Sequence, residues 1–252
     1  MKTVFITGAT SGIGREFANV FASKGFRLIL TGRRTDRLLA MQKRYGENCR
    51  VITTDLSDEA QCKELLNAIR DEKIDVFINN AGFGTAGSFL ETELEKEINM
   101  IKVNDLAMHI LFKGVLKKME KQGRGTILNV ASSAGLLPAG PYMAAYYASK
   151  SYVVSLTKAV AGELKEKGSR VYVCCLCPGP VDTEFNDNAD VIFSLNGIPA
   201  KQCVAECLTG MKKRKTVIVP TLRMKLAVYG QHLLPETFLI KMIAGQQKKK
   251  RN

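Results

Sequence analysis

The feature that most constrains this chain is a rhythm of short apolar runs alternating with longer amphipathic stretches. Lys2–Thr7, Arg27–Thr31, Arg50–Thr54, Asp75–Asn79, Gly125–Ala131 and Arg170–Cys177 are β-rich and apolar along their length. Between them lie segments of helical periodicity: Gly12–Lys24, Asp36–Tyr45, Asp58–Asp71, Glu93–Lys121 and Ala145–Lys167. Strands that do not alternate apolar with polar are buried on both faces, the mark of a parallel sheet. Parallel neighbours need crossovers of a dozen or more residues, which the helical segments supply. The pattern predicts one α/β, doubly wound, Rossmann-type domain, with a parallel sheet of about seven strands and helices on both faces. After Pro178 the rhythm loosens. Glu184–Ala200 reads as a loop with apolar anchors at Phe185, Ile192 and Phe193, followed by a helix at Lys201–Met211 and a last strand at Thr216–Val219. No linker or repeat divides the chain. The expected organisation is a core over 1–183, a substrate loop and helix over 184–211, and a basic extension over 212–252.

Several function classes fall away on composition. No stretch approaches the ~18 apolar residues of a membrane span. The opening Met1–Gly8 lacks the length and cleavage site of a signal peptide, so a cytoplasmic location is expected. Seven cysteines form no disulfide framework. Cys174 and Cys177 are three apart on a strand and point to opposite faces, so their C-x-x-C spacing makes no metal site. Only two histidines occur, His109 and His232, and neither accompanies a G-x-S-x-G elbow. No metal site is expected. The net charge is +13, but residues 211–252 hold eleven Lys or Arg and one acid, Glu236, so +10 of it lies there. The body is nearly neutral, and the overall charge is no argument for nucleic-acid binding.

Two places carry chemistry. Gly8-Ala9-Thr10-Ser11-Gly12-Ile13-Gly14 joins the first strand to the first helix. A glycine-rich turn feeding a helix start presents free N–H groups and a positive helix end to a pyrophosphate. The second strand ends Gly32-Arg33-Arg34, 18 residues after Gly14. An acid about 20 residues beyond the glycines would hold the ribose 2′-hydroxyl of NAD. Here a glycine and two guanidinium forks stand instead, and they suit a 2′-phosphate. The expected cofactor is NADP(H). Tyr146 and Lys150 are four apart on a predicted helix and share a face. A phenol near a lysine ammonium and a cationic nicotinamide would ionise more readily than its free pKa near 10 allows, and could exchange a proton with a carbonyl oxygen.

These residues, taken in order, resemble the short-chain dehydrogenase/reductase family, and the Thr-Gly-Arg-Arg strand end resembles its NADP-preferring members. The resemblance spans residues 2–185 and rests on further matches. Asp55-Leu56 is similar to the family's adenine contact. Asn79-Asn80-Ala81-Gly82 is similar to the signature that closes its fourth strand. Asn104 matches an active-site asparagine, Asn129-Val130-Ala131-Ser132 the strand that carries a catalytic serine, and Pro178-Gly179-Pro180-Val181-x-Thr183 the segment over the nicotinamide. The resemblance implies catalytic Asn104, Ser132, Tyr146 and Lys150. Tyr146 would act as acid and base, Ser132 as a hydrogen-bond donor to the substrate oxygen, Lys150 as the ribose anchor, and Asn104 as holder of a water serving Lys150.

The serine is the one ambiguous match. The family's spacing of 13 residues before the tyrosine selects Ser133, whereas Asn129-x-x-Ser132 and Gly135 select Ser132. One extra residue in the loop Leu136–Pro141 reconciles them in favour of Ser132.

The expected activity is hydride transfer between NADP(H) and a carbonyl or secondary alcohol of a lipophilic molecule such as a hydroxysteroid, a 3-oxoacyl compound or a similar ketone, as in a carbonyl reductase. Phe83, Leu136, Leu137, Tyr142, Met143, Phe185 and Phe193 would line its pocket. The alternative is a non-catalytic NADP-sensing protein with a basic interaction region, and the complete Asn-Ser-Tyr-Lys set argues against it. The family resemblance and the apolar residues of Tyr146–Lys167 lead to the expectation of a homodimer or homotetramer. For Leu222–Gly245, apolar and basic at once, the favoured reading is a cover over the cleft with a solvated lysine tail. A peripheral membrane contact is the alternative.

Overall fold

The computed structural model describes residues 1–184 and 197–248. Its centre is a seven-stranded sheet in the order β3-β2-β1-β4-β5-β6-β9, with every neighbouring pair parallel. The strands are β1 Thr3–Thr7, β2 Arg27–Gly32, β3 Cys49–Thr53, β4 Val76–Asn79, β5 Gly125–Val130, β6 Val171–Leu176 and the short β9 Val217–Ile218. This is the doubly wound architecture expected from the apolar runs.

The period of two along each strand splits the interior into two cores. Phe5, Ile29, Phe77, Ile127 and Val173 face one side, where Phe5 and Phe77 stack with ring centroids 4.8 Å apart. Val4, Ile6, Leu28, Leu30, Ile78 and Leu128 face the other, against Phe17 and Phe21 of helix α1 (Gly12–Ser23). Both faces must then be covered by helices. Helix α2 is Thr35–Tyr45 and α3 is Glu59–Ala68. The Asp58 carboxylate caps α3 by accepting from the amides of Ala60 and Gln61.

Three details differ from the sequence expectation. The single helix expected over Glu93–Lys121 is α4 Leu94–Ile101, a π-helical turn Lys102–Ala107, and α5 Met108–Gln122. Hydrophobic periodicity does not register one extra residue in a turn. The segment after Pro178 is not all loop. β7 Val181–Asp182 pairs in parallel with β8 Ile198–Pro199, and Ala200 already begins α7 (Ala200–Lys212). Phe185, Ile192 and Phe193 lie outside the described residues. Finally, the apolar, basic end divides at Pro235 into α8 Leu222–Gly230, a short 3-10 turn Gln231–Leu233, and α9 Glu236–Lys248. The remaining helix, α6 Ala144–Glu166, packs beside β6.

β1 pairs with β2 on one side and β4 on the other, so the winding direction reverses between them. Such a switch point opens a crevice at the carboxyl ends of the strands, the usual place for a ligand in open α/β sheets.

Candidate active site

A cleft of about 1250 Å³ occupies that crevice. A pocket for one small ligand is typically about 300–1,000 Å³, so a cofactor and a substrate fit together. Its walls include Gly8, Thr10, Ser11, Gly12 and Ile13 of the first turn, Arg33 and Arg34, Asp55 and Leu56, and Asn80, Ala81 and Gly82. They also include Ser132, Tyr146 and Lys150, together with Pro178, Gly179, Val181 and Thr183. Gly14 and Asn104 stand behind these walls and act through them.

The glycine turn is held open by its packing. Gly12 has φ +51°, and a Cβ there would stand 3.0 Å from Thr183 Cγ2. A Cβ on Gly14 would run into the Gly8 carbonyl oxygen and stand 2.5 Å from Asn80 Nδ2. Asn80 fixes the turn from the next strand, its side chain donating to the carbonyls of Thr7 (2.9 Å) and Gly8 (3.1 Å). The Thr7 hydroxyl accepts from the amides of Asn80 and Ala81. Ser11, at the N-cap of α1, makes no side-chain capping bond, and the first turn of α1 holds no acid. Its amides are available to an anion, so these residues fit a dinucleotide pyrophosphate.

The basic end of β2 is more elaborate than the sequence indicated. Arg33 is exposed and makes no ion pair among the described residues. Arg34 donates to Thr10 Oγ1 through Nη2 (2.9 Å) and pairs with Glu184 (2.7 Å). Arg37, one turn into α2 and not singled out from sequence, pairs with the same carboxylate at 2.8 Å. These guanidinium groups hold the Glu184 pKa below the usual range. Asp55 accepts from the amide and hydroxyl of Ser57 at 2.9 and 2.8 Å, which orients it at the cleft wall.

Tyr146 and Lys150 project from the first turns of α6. Tyr146 is 7% exposed and Lys150 5%. The Ser132 hydroxyl is hydrogen-bonded to the Tyr146 side chain. It also accepts from the amide of Ala134 at 3.1 Å, whereas the Ser133 amide donates to Pro178 O at 2.8 Å. Burial raises the Tyr146 phenol to about 12, outweighing the opposing hydrogen bond from Ser132. The lowering expected from the neighbouring lysine is therefore not the dominant effect in the chain by itself. Tyr146 is a protonated phenol at neutral pH, able to give a proton. Lys150 moves the other way, down to about 8, because burial penalises the ammonium more than the Asp105 carboxylate supports it. Its Nζ donates to Val130 O at 3.4 Å and stands 5.8 Å from the centre of the Tyr146 ring.

Asn104 sits in the π-helical turn, 1% exposed. Its Oδ1 accepts from the amide of Phe83 (3.0 Å). Its Nδ2 donates to Phe83 O (2.9 Å) and Ser149 Oγ (3.1 Å). Asn104 thus clamps the strand end after Gly82 to α6 and stations its oxygen beside Lys150 across Gly82, where a Cβ would lie 2.9 Å from Oδ1 and 3.2 Å from Nζ.

Asp105, the next residue, went unremarked in the sequence. One of its oxygens is buried without a hydrogen-bond partner among the described residues, and burial raises its pKa to about 6. A lone acid inside a predicted helix carries no sequence signal of this.

Of the expected substrate lining, Phe83, Leu137 and Met143 border the cleft. Leu136 and Tyr142 do not. The Leu136 carbonyl accepts from Gln231, and the Tyr142 ring lies under Lys248. Tyr147 is an ordinary buried aromatic whose hydroxyl accepts from Gln247 at 2.9 Å. All seven cysteines are buried and unpaired. Among the described residues no cluster could hold a metal ion and no helix is long and apolar enough to cross a membrane.

Comparison with known proteins gives the same region. Residues 2–192 match the family described as short chain dehydrogenase. An uncharacterized oxidoreductase of Staphylococcus saprophyticus is 37% identical over 191 residues, covering 74% of this chain and 77% of that protein. A short-chain dehydrogenase from Sphingobium yanoikuyae in complex with NADPH superimposes with a TM-score of 0.83 at 30% identity, over 92% of this chain and 94% of its own. A short-chain dehydrogenase/reductase from Burkholderia phymatum in complex with NAD does so with a TM-score of 0.83 at 27% identity, over 92% and 93%.

Proposed function

The chain belongs to the short-chain dehydrogenase family and is an oxidoreductase of it, and from that premise we propose an NADP(H)-dependent carbonyl reductase or alcohol dehydrogenase acting on a lipophilic ketone or secondary alcohol. The observation that carries the reading is the gathering of a protonated, buried Tyr146, its Ser132 partner and a buried Lys150 in the cleft that the glycine turn enters.

When bound, the cofactor supplies or accepts the hydride at the substrate carbon. The rest of the chemistry falls to this chain. Tyr146 Oη gives its proton to the carbonyl oxygen in reduction and recovers one from the alcohol in oxidation. Ser132 Oγ donates a hydrogen bond to the same oxygen as negative charge develops there. Lys150 holds ribose hydroxyls and, as an ammonium, favours the phenolate left on Tyr146 after proton transfer. The Asn104 clamp keeps the Gly82 strand end in register with α6, and Asn104 is assigned the water through which Lys150 would exchange protons with solvent. Gly8 to Gly14 receive the pyrophosphate, Asp55, Leu56 and Asn80 to Gly82 the adenosine, and Pro178 to Thr183 cover the nicotinamide.

NADP(H) rather than NAD(H) is assigned on Arg33 and Arg34, with Arg37 added. Arg33 has no competing ion pair among the described residues, so it is given the larger share. A lipophilic substrate is assigned because Phe83, Leu137, Met143, Leu239 and Ile243 form the wall beyond Tyr146. The test is oxidation of NADPH with a panel of steroid ketones, 3-oxoacyl thioesters and bulky aryl ketones. Turnover of at least one class that disappears in Tyr146→Phe supports the reading. Tight NADPH binding with no turnover across the panel refutes it in favour of a sensing protein.

A further inference from the structure

The two C-terminal helices carry an exposed apolar surface, only part of which borders the active-site cleft. Leu222, Leu226 and Tyr229 follow one another four and three residues apart along α8, 70%, 66% and 59% exposed, and Leu233 beyond them is 87% exposed. Residues at that spacing share a helix face. Phe238 and Met242, four apart on α9, are also exposed. Only Val228, Leu239 and Ile243 of the apolar residues in these helices are buried. The expectation that this stretch covers the cleft is met by Met224, Leu226, Leu234, Leu239, Met242 and Ile243, which line it, and not by Leu222, Tyr229, Leu233 and Phe238. The exposed ones form a stripe along each of two helices that border the same cleft, a clustering of the kind that marks an interaction site rather than scattered exposure.

What would cover this face is decided by charge and by the cleft. Arg223, Lys225, Lys241 and Lys248 are interleaved with the apolar residues, and Glu236 is the sole acid from 211 to 252. A second copy docking by twofold symmetry would set these cations against their own counterparts, so the charge opposes a homotypic contact. An anionic partner is favoured. Leu226, Leu234 and Met242 are exposed and also line the cleft, so its mouth opens within this face. A protein cap would close this mouth. A lipid surface would leave it in contact with a reservoir of apolar molecules.

We propose that α8 and α9 dock on an anionic lipid bilayer, with Leu222, Leu226, Leu233 and Phe238 entering the interface, the neighbouring Lys and Arg side chains on the headgroups, and the cleft opening toward the acyl layer. This is the arrangement of an amphipathic interfacial helix, in which buried apolar area and attraction to anionic headgroups add. It does not depend on which nicotinamide cofactor the chain uses.

The experiment is co-sedimentation of the full chain with vesicles of phosphatidylcholine alone and with vesicles that also contain phosphatidylserine. Binding is expected only with phosphatidylserine present, weakened about tenfold or more by raising salt from ~0.1 M to ~0.5 M. Leu222→Ser/Leu233→Ser/Phe238→Ser, residues that do not line the cleft, should lower binding by about tenfold or more with far-UV circular dichroism unchanged. Lys225→Glu/Lys241→Glu is the independent arm and should do the same. Absence of co-sedimentation at low salt overturns the proposal. So does a serine variant that folds and binds as well as the parent, which would leave charge alone at work. A parent that ignores vesicles but dissociates to a smaller species in light scattering on the serine substitutions would make the face a contact between copies, and overturns it too.

Discussion

Replacing Lys150 by methionine is expected to stabilise the folded chain while disabling the site. The ammonium is 5% exposed, and burial takes its pKa from 10.5 to about 8 even with the Asp105 carboxylate opposing the change. In the unfolded chain the group keeps its ordinary hold on the proton. That difference corresponds to about 3 kcal/mol of stability forgone at neutral pH. The sign follows from proton binding. Between pH 8 and 10.5 the unfolded chain holds more protons than the folded one, so stability rises with pH across that window, and below pH 8 the whole penalty is present. Methionine keeps most of the volume and removes the charge. It also gives up the hydrogen bond to Val130 O, a loss of about 1 kcal/mol. Asp105 loses its cationic neighbour and takes up a proton more readily, which limits the cost of leaving it there. A net gain of about 1–2 kcal/mol at pH 7 remains, or roughly 2–8 °C in Tm for a chain of this size. Urea and thermal unfolding of parent and variant, without cofactor, at pH 7 and again at pH 10, measure it. The gap should close at pH 10, where the parent's lysine has shed its proton in the folded state. A variant less stable than the parent at pH 7, or a gap that does not change with pH, would refute the reasoning.

Other outcomes follow from the same geometry. Tyr146→Phe should cut turnover by about 100-fold or more with NADPH affinity nearly intact, and Ser132→Ala should cost far more turnover than Ser133→Ala; steady-state kinetics with fluorescence titration check both. NADPH should bind at least about tenfold tighter than NADH, with Arg33→Ala removing most of the preference. Glu184→Gln should tighten NADPH further and leave NADH unchanged, since the Glu184 carboxylate competes for Arg34 and Arg37; equal NADPH affinity in the variant would show that the carboxylate is no competitor. Ile98, Ile101, Leu106 and Tyr152 are exposed around the π-helical turn and α6, and light scattering at micromolar concentration should give a dimer or tetramer that Leu106→Glu breaks into monomers.

The fold was legible because a sheet buried on both faces leaves no choice of residue along its strands. Phe5 and Ile6 point to opposite cores, and both had to be apolar. The glycine turn was legible for the same reason in reverse, since Gly14 stands where any side chain would strike Gly8 and Asn80. What escaped sequence reading depends on long-range meetings. Arg37 is one of many arginines on helix surfaces until Glu184, 147 residues away, arrives beside it. The clamp made by Asn104 depends on a turn of i→i+5 hydrogen bonds, and apolar residues spaced for an α-helix look the same with one such turn inserted. The exposure of α8 was hidden because apolar periodicity tells which residues share a face and not whether anything covers it.

The π-helical turn ties these observations into one physical trade. It brings Asn104 to Phe83 and Ser149 and half-buries its neighbour Asp105, one buried oxygen of which has no hydrogen-bond partner among the described residues. Burial drives Asp105 up to about 6 and Lys150 down to about 8, so each group resists its own charge. Their mutual attraction recovers part of what burial costs, and neither would be retained by packing alone. A half-buried acid with a buried ammonium and phenol, gathered around one irregular turn, is costly for stability and useful for moving a proton. Relieving the turn by a substitution that restores regular α-helical bonding should therefore make the chain more stable and the site less competent, in the same direction as Lys150→Met.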